Sequence, residues 1–569
     1  MSAAIGGRRR RIRRSRVLAV AFGAVLAMAL SACVTIPTGG GVATERIPEG
    51  QNNDDTVRVP LGPENGMTPE EIVAGFVRAG GGPQNNYDVA HQYLADSFTK
   101  WKPSAGITLS DSQVVPVASD TTGGYTVSLG VVGRIDPSGV YTAQSEARRD
   151  LSFHVIKERG QWRIDKAPDG TVLSTRDLGG AVKPYDLYFF DPDYDYLVPD
   201  LRWFADQGGP GYVPGRIVSA LLAGPAPWLA SPVLVSAFPS GTERGDTPTQ
   251  DAGTMTVDLS SAVLGANAQQ QQRMLQQLTL SLRAYDVSAV TMTVNGLSVP
   301  VTGQSTADSA PSVQYDAIGS DGKTFGVIGA DGVSVLPQLG AVVQSLAPTA
   351  ASLARDRTAV AVRGTGGVSL VTGNGHAVID NRPALVGPTI DPLGYVWSAQ
   401  SAPDSLIAVR TDGKPHPMPI TADGSIVSLS ASRDGTRLLV GLQTDTGPSV
   451  EVLGIQRDKD GVPTGFGTPL VLPLSQTGPV IGAEWIDEGS VAVLTGVSGE
   501  ADAVFEYELA GRVTDHGTVR DAVALAAGSG GSGFYAMRVL TRGGDLLQPS
   551  VVEAWQTTGQ NASLLGVQQ

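Results

Sequence analysis

Cys33 is the residue of this chain whose type and setting most directly suggest chemistry. It is the only cysteine among 569 residues, and it follows Leu30, Ser31 and Ala32. A single thiol makes no internal disulfide, no CxxC redox pair and no zinc cluster. Leu-Ser-Ala-Cys instead matches the bacterial lipobox. There the small residues fit a peptidase cleft, the thiol receives a diacylglyceryl group, and the freed amine of Cys33 is then acylated, for example by palmitate. Each buried CH₂ is worth about 0.8 kcal/mol, so several acyl chains anchor stably where one does not. The residues upstream fit this reading. Arg8 to Arg16 is strongly basic, and Val17 to Leu30 is an apolar run of fourteen residues. A spanning helix needs about 20 apolar residues, so the run reads as the h-region of a secretory signal. We read residues 1–32 as a lipoprotein signal peptide. Residues 33–60 follow as the lipidated cysteine and a flexible Gly/Pro/Asn-rich tether.

The remaining constellations are weaker. Five histidines, at 91, 154, 376, 416 and 516, are scattered singly. Ser320 and Lys323 match Ser-x-x-Lys, but they fall in a hairpin turn without the partner motifs. Gly528 to Gly533 matches G-x-G-x-x-G, yet a strand-like FYAMRVL follows where a dinucleotide site needs a helix. Asp191, Asp193 and Asp195 alternate as in a calcium loop. Tyr196 stands where that loop needs Gly, and Arg202 where it needs Glu, so we read a solvated turn. No P-loop, nucleophile elbow or H-E-x-x-H motif occurs. The expectation is no catalytic residue, no metal and no cofactor. Trp203, Trp228, Trp397 and Trp485 could stack on sugar rings, although core positions suit them better. Acids outnumber bases 55 to 41, giving a net charge of −14. Removal of residues 1–32, with seven arginines and no acid, takes that to −21. Such a surface repels phosphates, which argues against a nucleic-acid partner.

The elements that would carry these residues fall into three regions. In residues 61–178, Thr68-Pro69-Glu70-Glu71 reads as a capping box opening a helix with Ile72, Val73, Phe76 and Val77 on one face. A second helical stretch is expected near Tyr87 to Phe98. Alternating strands follow, with Glu158 to Gln161 as a turn. The result is an N-terminal α+β domain. In residues 179–304, strands at Tyr185–Phe190 and Thr256–Ser260, a helix opened by Pro214 and a helix over Gln269–Tyr285 describe an α/β domain. In residues 312–569, turn markers at Ser320, Arg355, Asp391, Ser432, Asp487 and Gly528 recur every 35 to 55 residues. That is near the length of a four-stranded propeller blade, so the expectation is an all-β propeller of about six blades.

The middle region resembles the GerMN domain, through LYFFD, LVPDLR, ALLAGP, AFPSGT, VDLS and VNG in that order. It departs from it in a longer, polar loop around Arg244 to Asp251. The whole order is lipobox, α+β domain, GerMN-like domain and degenerate propeller. With LVPDLR and SRDGTRLLV, it resembles the LpqB family of actinobacterial lipoproteins. The resemblance implies a multidomain, extracytoplasmic lipoprotein on the cell membrane. It implies a partner, the extracytoplasmic domain of an MtrB-like sensor histidine kinase of the MtrA–MtrB two-component system, and a role in cell-envelope homeostasis and division. It implies a protein that acts by contact and is not an enzyme. A second reading is a receptor for an envelope small molecule or glycan fragment.

Overall fold

The computed structural model describes residues 60–119, 122–206, 208–209, 211–285, 287–309, 317–410, 413–422, 424–474, 478–497, 501–528, 533–551 and 554–569. Cys33 and its lipobox, Leu30, Ser31 and Ala32, lie outside them, as do the signal peptide and nearly all of the tether. The described residues belong to one compact unit.

In the N-terminal domain the helix Pro69–Ala79 begins with the expected capping box. Thr68 Oγ1 accepts the Glu71 N–H at 3.3 Å, and Glu71 Oε2 accepts the Thr68 N–H at 2.8 Å. Its apolar face packs on one side of a sheet whose main strands run in the order 161–166, 141–158, 124–135, 107–109, 171–173. The second helix is shorter than expected, ending at His91. Beyond it the backbone N–H groups fold back in tight turns, and Ala95 pairs with Ile164 instead of continuing the helix. Arg159 and Gly160 both take positive φ, as a two-residue hairpin turn requires.

The second domain opens with a hairpin, Lys183–Phe190 against Leu197–Phe204. Strands Thr254–Asp258 and Ala289–Val294 pair in parallel, and the helix Ala268–Ser281 crosses between them. The helix expected to open at Pro214 starts at Tyr212, because Gly211 at φ 90° turns the chain into it. The polar loop contributes an edge strand, Thr249–Asp251.

Among the described residues the C-terminal region forms six blades in a ring, five of four strands and one of five, with the first and last joined in one sheet. Their inner strands, 350–353, 389–390, 425–431, 480–485, 522–526 and 564–568, each neighbour the next, and the last returns to the first. One blade is built from both ends of the region. Its inner strand Leu564–Gln568 pairs antiparallel with Ile318–Ser320, so hydrogen bonds close the ring. This gives one turn marker a different place from the other five. They link the first and second strands of their blades, whereas Asp321–Thr324 links the second and third.

Candidate functional site

The segment LVPDLRWF is where the three regions meet. Its strand is buried on both faces, so alternation alone does not say what its charges do. Arg202, 1% exposed, forms a two-pronged pair with Asp200, Nε to Oδ1 at 2.9 Å and Nη2 to Oδ2 at 2.6 Å. Its remaining N–H groups reach two other places in the chain. Nη1 donates to the Ser138 carbonyl of the N-terminal domain at 3.1 Å, and Nη2 to the Gly224 carbonyl at 3.3 Å. Asp200 Oδ2 also accepts the Ala226 N–H at 2.7 Å. Buried charges persist only when paired and hydrogen-bonded in this way. The next residue, Trp203, donates its indole N–H to the propeller's Ala510 carbonyl at 2.8 Å. Ala510 packs with Ile107, Leu109, Ile135 and Leu173 of the N-terminal domain in one apolar cluster. A second cluster is continuous from the hairpin strands through Trp228 and Val233 to Leu439, Val450, Phe505 and Tyr507 of the propeller. Trp228 and Val233 press on Gly454, where an added Cβ would lie 2.7 Å from the Trp228 carbonyl. Tyr196, at the end of the DPDYDY turn, accepts a hydrogen bond from Arg355 of the propeller. The three domains therefore share buried interfaces.

A second cluster lies among the propeller's inner strands. Ser430 Oγ donates to Glu484 Oε2 at 2.7 Å, and Gln569 Nε2 donates to Ser430 Oγ at 3.2 Å. Burial pushes Glu484 up to about 8, against the opposing effects of the Ser430 hydrogen bond and the Arg433 charge. Arg433 bridges outward, with Nη1 to the Ile486 carbonyl at 3.4 Å and Nη2 to the Ala527 carbonyl at 3.3 Å. The other charges of SRDGTR brace the ring. Arg437 pairs with Asp434 at 2.5 Å and donates to the Glu488 carbonyl of the next blade at 2.7 Å. Arg457 reaches back to Asp391 of the preceding blade at 2.5 Å. These ion pairs are structural uses of charge.

The residues weighed from sequence fall as follows. Asp191 differs from the solvated turn expected of it. It is buried, and its carboxylate accepts the N–H groups of Tyr196 at 2.7 Å and Asp193 at 3.2 Å, so the aspartate folds its own turn. Among the described residues no group of three or more His, Cys, Asp or Glu side chains could hold a metal ion. Ser320 Oγ is engaged with Gln344 and Gly322, while Lys323 sits in the exposed turn. Part of the Gly528–Gly533 loop is outside the described residues. Trp203, Trp228, Trp397 and Trp485 are 3%, 8%, 0% and 2% exposed, which removes them from sugar stacking. No described helix is long and apolar enough to cross a membrane.

Three family models match in series. They are the Lipoprotein LpqB N-terminal domain at residues 62–179, Sporulation and spore germination at 186–300, and the Lipoprotein LpqB beta-propeller domain at 324–563. None of them describes a catalytic family. The chain is similar to "Lipoprotein LpqB" of Thermobifida fusca, 28% identical over 54% of this chain and 51% of that protein. It is similar to "Lipoprotein LpqB" of Streptomyces avermitilis, 28% identical over 80% of this chain and 82% of that protein. The matched stretch thus spans about half the length of the Thermobifida protein. Among solved structures, the tandem GerMN domains of GerM from Bacillus subtilis match with a TM-score of 0.17, 18% identity, 22% of this chain and 48% of that one. The domain order and the two LpqB domain models flanking a sporulation and germination domain converge: the chain belongs to the LpqB lipoprotein family.

Proposed function

We propose that this protein is a lipid-anchored, extracytoplasmic regulator that modulates an MtrB-like sensor histidine kinase by direct contact, without turnover. The observation that carries the reading is the shared, buried junction of the three domains at Asp200, Arg202 and Trp203. A body held this way presents one fixed surface to a partner, and little ordering entropy is lost on binding. Acylated Cys33 would tether that body to the membrane in which the kinase resides and so raise its effective concentration there. The strongly negative mature chain suits a protein partner rather than nucleic acid.

The test is reconstitution. The acylated mature chain is placed in liposomes with the full-length cognate kinase, and autophosphorylation is followed. We expect a change of at least twofold. It should be lost when Cys33→Ala protein is supplied at the same bulk concentration and regained at high concentration. An unchanged rate with both forms overturns direct regulation.

A further inference from the structure

His154 of the N-terminal domain stands in a setting that none of the features above uses. It lies on the long strand Tyr141–Glu158, where the pairing with Gln161–Lys166 breaks register. Val155 stands opposite Ile164, and His154 stands opposite Lys166. Asp165 is the extra residue of this bulge, so two residues of one strand face a single histidine. The bulge brings a carboxylate to the ring, with His154 Nδ1 2.6 Å from Asp165 Oδ1. On the other side Nε2 lies 3.1 Å from the Thr122 carbonyl oxygen. Thr122 and Gly123 lead into the strand Gly124–Ile135, beside the edge strand Pro116–Ala118. Gly123 permits the close approach: its φ is +110°, and a Cβ there would lie 2.5 Å from the Val155 carbonyl oxygen. Backbone bonds tie the same turn, from the Val155 N–H to the Gly123 carbonyl at 2.9 Å and from the Ser119 N–H to the Gly124 carbonyl at 2.9 Å. The His154 and Asp165 side chains are 33% and 29% exposed, so the ring can exchange protons with water.

Both of these ring contacts are acceptors. A neutral imidazole has one N–H and one lone pair, so it serves one acceptor and turns its lone pair on the other. An imidazolium has two N–H groups and serves both. Among the described residues the charged groups on this face come from the strand 161–166. They are Asp165, the exposed Lys166, and Arg163 opposite Ile156. Alternation puts Ser152 and Ile156 of its own strand on the same face, and the strand 124–135 offers Gly124 and Thr126; none of these titrates. From this geometry we infer that His154 is a proton-operated latch: the imidazolium ties the Thr122–Gly123 turn to Asp165, and loss of its proton releases the turn. A bond to a carboxylate is the stronger of the two, so the neutral ring keeps Asp165 and lets Thr122 go. The edge beside the turn carries Val115 and Val117, 57% and 61% exposed, so the proton sets how firmly an apolar sheet edge is held. Histidine is the side chain whose ordinary titration falls between about pH 5 and 8, which is the range in which such a latch works.

Hydrogen exchange of the mature full chain, read by mass spectrometry in peptides that contain Ser119 and Val155, tests this. Rates are corrected for the intrinsic effect of pH, with propeller peptides as the internal reference. From pH 5.5 to 8.5 the protection of these amides should fall about fivefold, the factor for one hydrogen bond. His154→Gln, whose amide does not titrate, should show no such fall. Nitrogen NMR of ¹⁵N-histidine-labelled protein gives the second readout, with the His154 signals assigned by their loss in His154→Gln. At pH 5.5 both ring nitrogens should carry protons, and at pH 8.5 Nδ1 alone. Protection that does not change with pH in the parent overturns the latch. So does an equal fall in His154→Gln with its melting temperature preserved, or a neutral His154 ring at pH 5.5.

Discussion

Arg202 and Arg149 are both arginines drawn off the surface, but their surroundings differ. Arg202 is closed on every side: a carboxylate grips it with both oxygens, and carbonyls from two other segments take further N–H groups. Arg149 has one hydroxyl partner, that of Thr108, and a second arginine, Arg134, nearby. The first arrangement is complete within the fold and does the work of a brace. The second leaves its guanidinium without a carboxylate among the described residues. Burial alone does not say how fully a charge is paired. The inventory of partners does.

The comparison breaks most visibly at Asp200. Asp200→Ala leaves the Arg202 guanidinium buried without its counter-ion, a loss of about 3–5 kcal/mol for a pair of this kind. Scanning calorimetry of the mature chain should show a lowered transition. Because Arg202 also reaches Ser138, the N-terminal domain should separate as its own, earlier transition. An unchanged single transition would show that the junction does not depend on this pair.

Glu484 sharpens the same logic with the opposite charge. It meets a hydroxyl in place of a bidentate cation, and burial raises it to about 8. The folded state therefore holds a proton that the unfolded state gives up near 4.5. Between those values the folded form binds more protons, so stability falls as pH rises, by at most about 1.4 kcal/mol per pH unit. Glu484→Gln should remove that fall, so that the variant gains on the parent steadily from pH 5 to 8 in denaturant titrations. A constant difference across this range would contradict the raised value.

Trp203→Phe should cost less than Asp200→Ala. It keeps the ring in the junction but leaves the buried Ala510 carbonyl without its donor, about 1–3 kcal/mol. Limited proteolysis should then cut nearer residue 180 or residue 310 before the domains themselves. Equal resistance in parent and variant would mean that the apolar cluster alone holds the propeller in place.

Much of this was legible from the sequence, for physical reasons. The capping box and the Asp-Gly turns are local devices whose residues act on neighbours a few positions away. The parts that could not be read depend on distance. Nothing in Leu564–Gln568 says that it pairs with Ile318–Ser320, almost the whole region away. Trp203 and Trp228 were weighed as sugar platforms because an indole reads alike in a core, an interface and a binding face. LVPDLR was visible as a resemblance, but its pairing was not, since a strand buried on both faces carries no alternation. Arg149 had a usable signal. It falls in phase with Leu151, Phe153 and Val155, and a cation in an inward-facing row is an anomaly.

The smallest expected effect is at Arg149 itself, and it decides whether the two arginines differ in kind. Arg149→Leu removes a cation that has no carboxylate partner and stands near Arg134. That relief offsets the loss of the hydrogen bond to Thr108, so the net change should stay within about 1 kcal/mol. The melting temperature of the mature chain should hardly move. A loss as large as that of Asp200→Ala would make Arg149 a brace like Arg202.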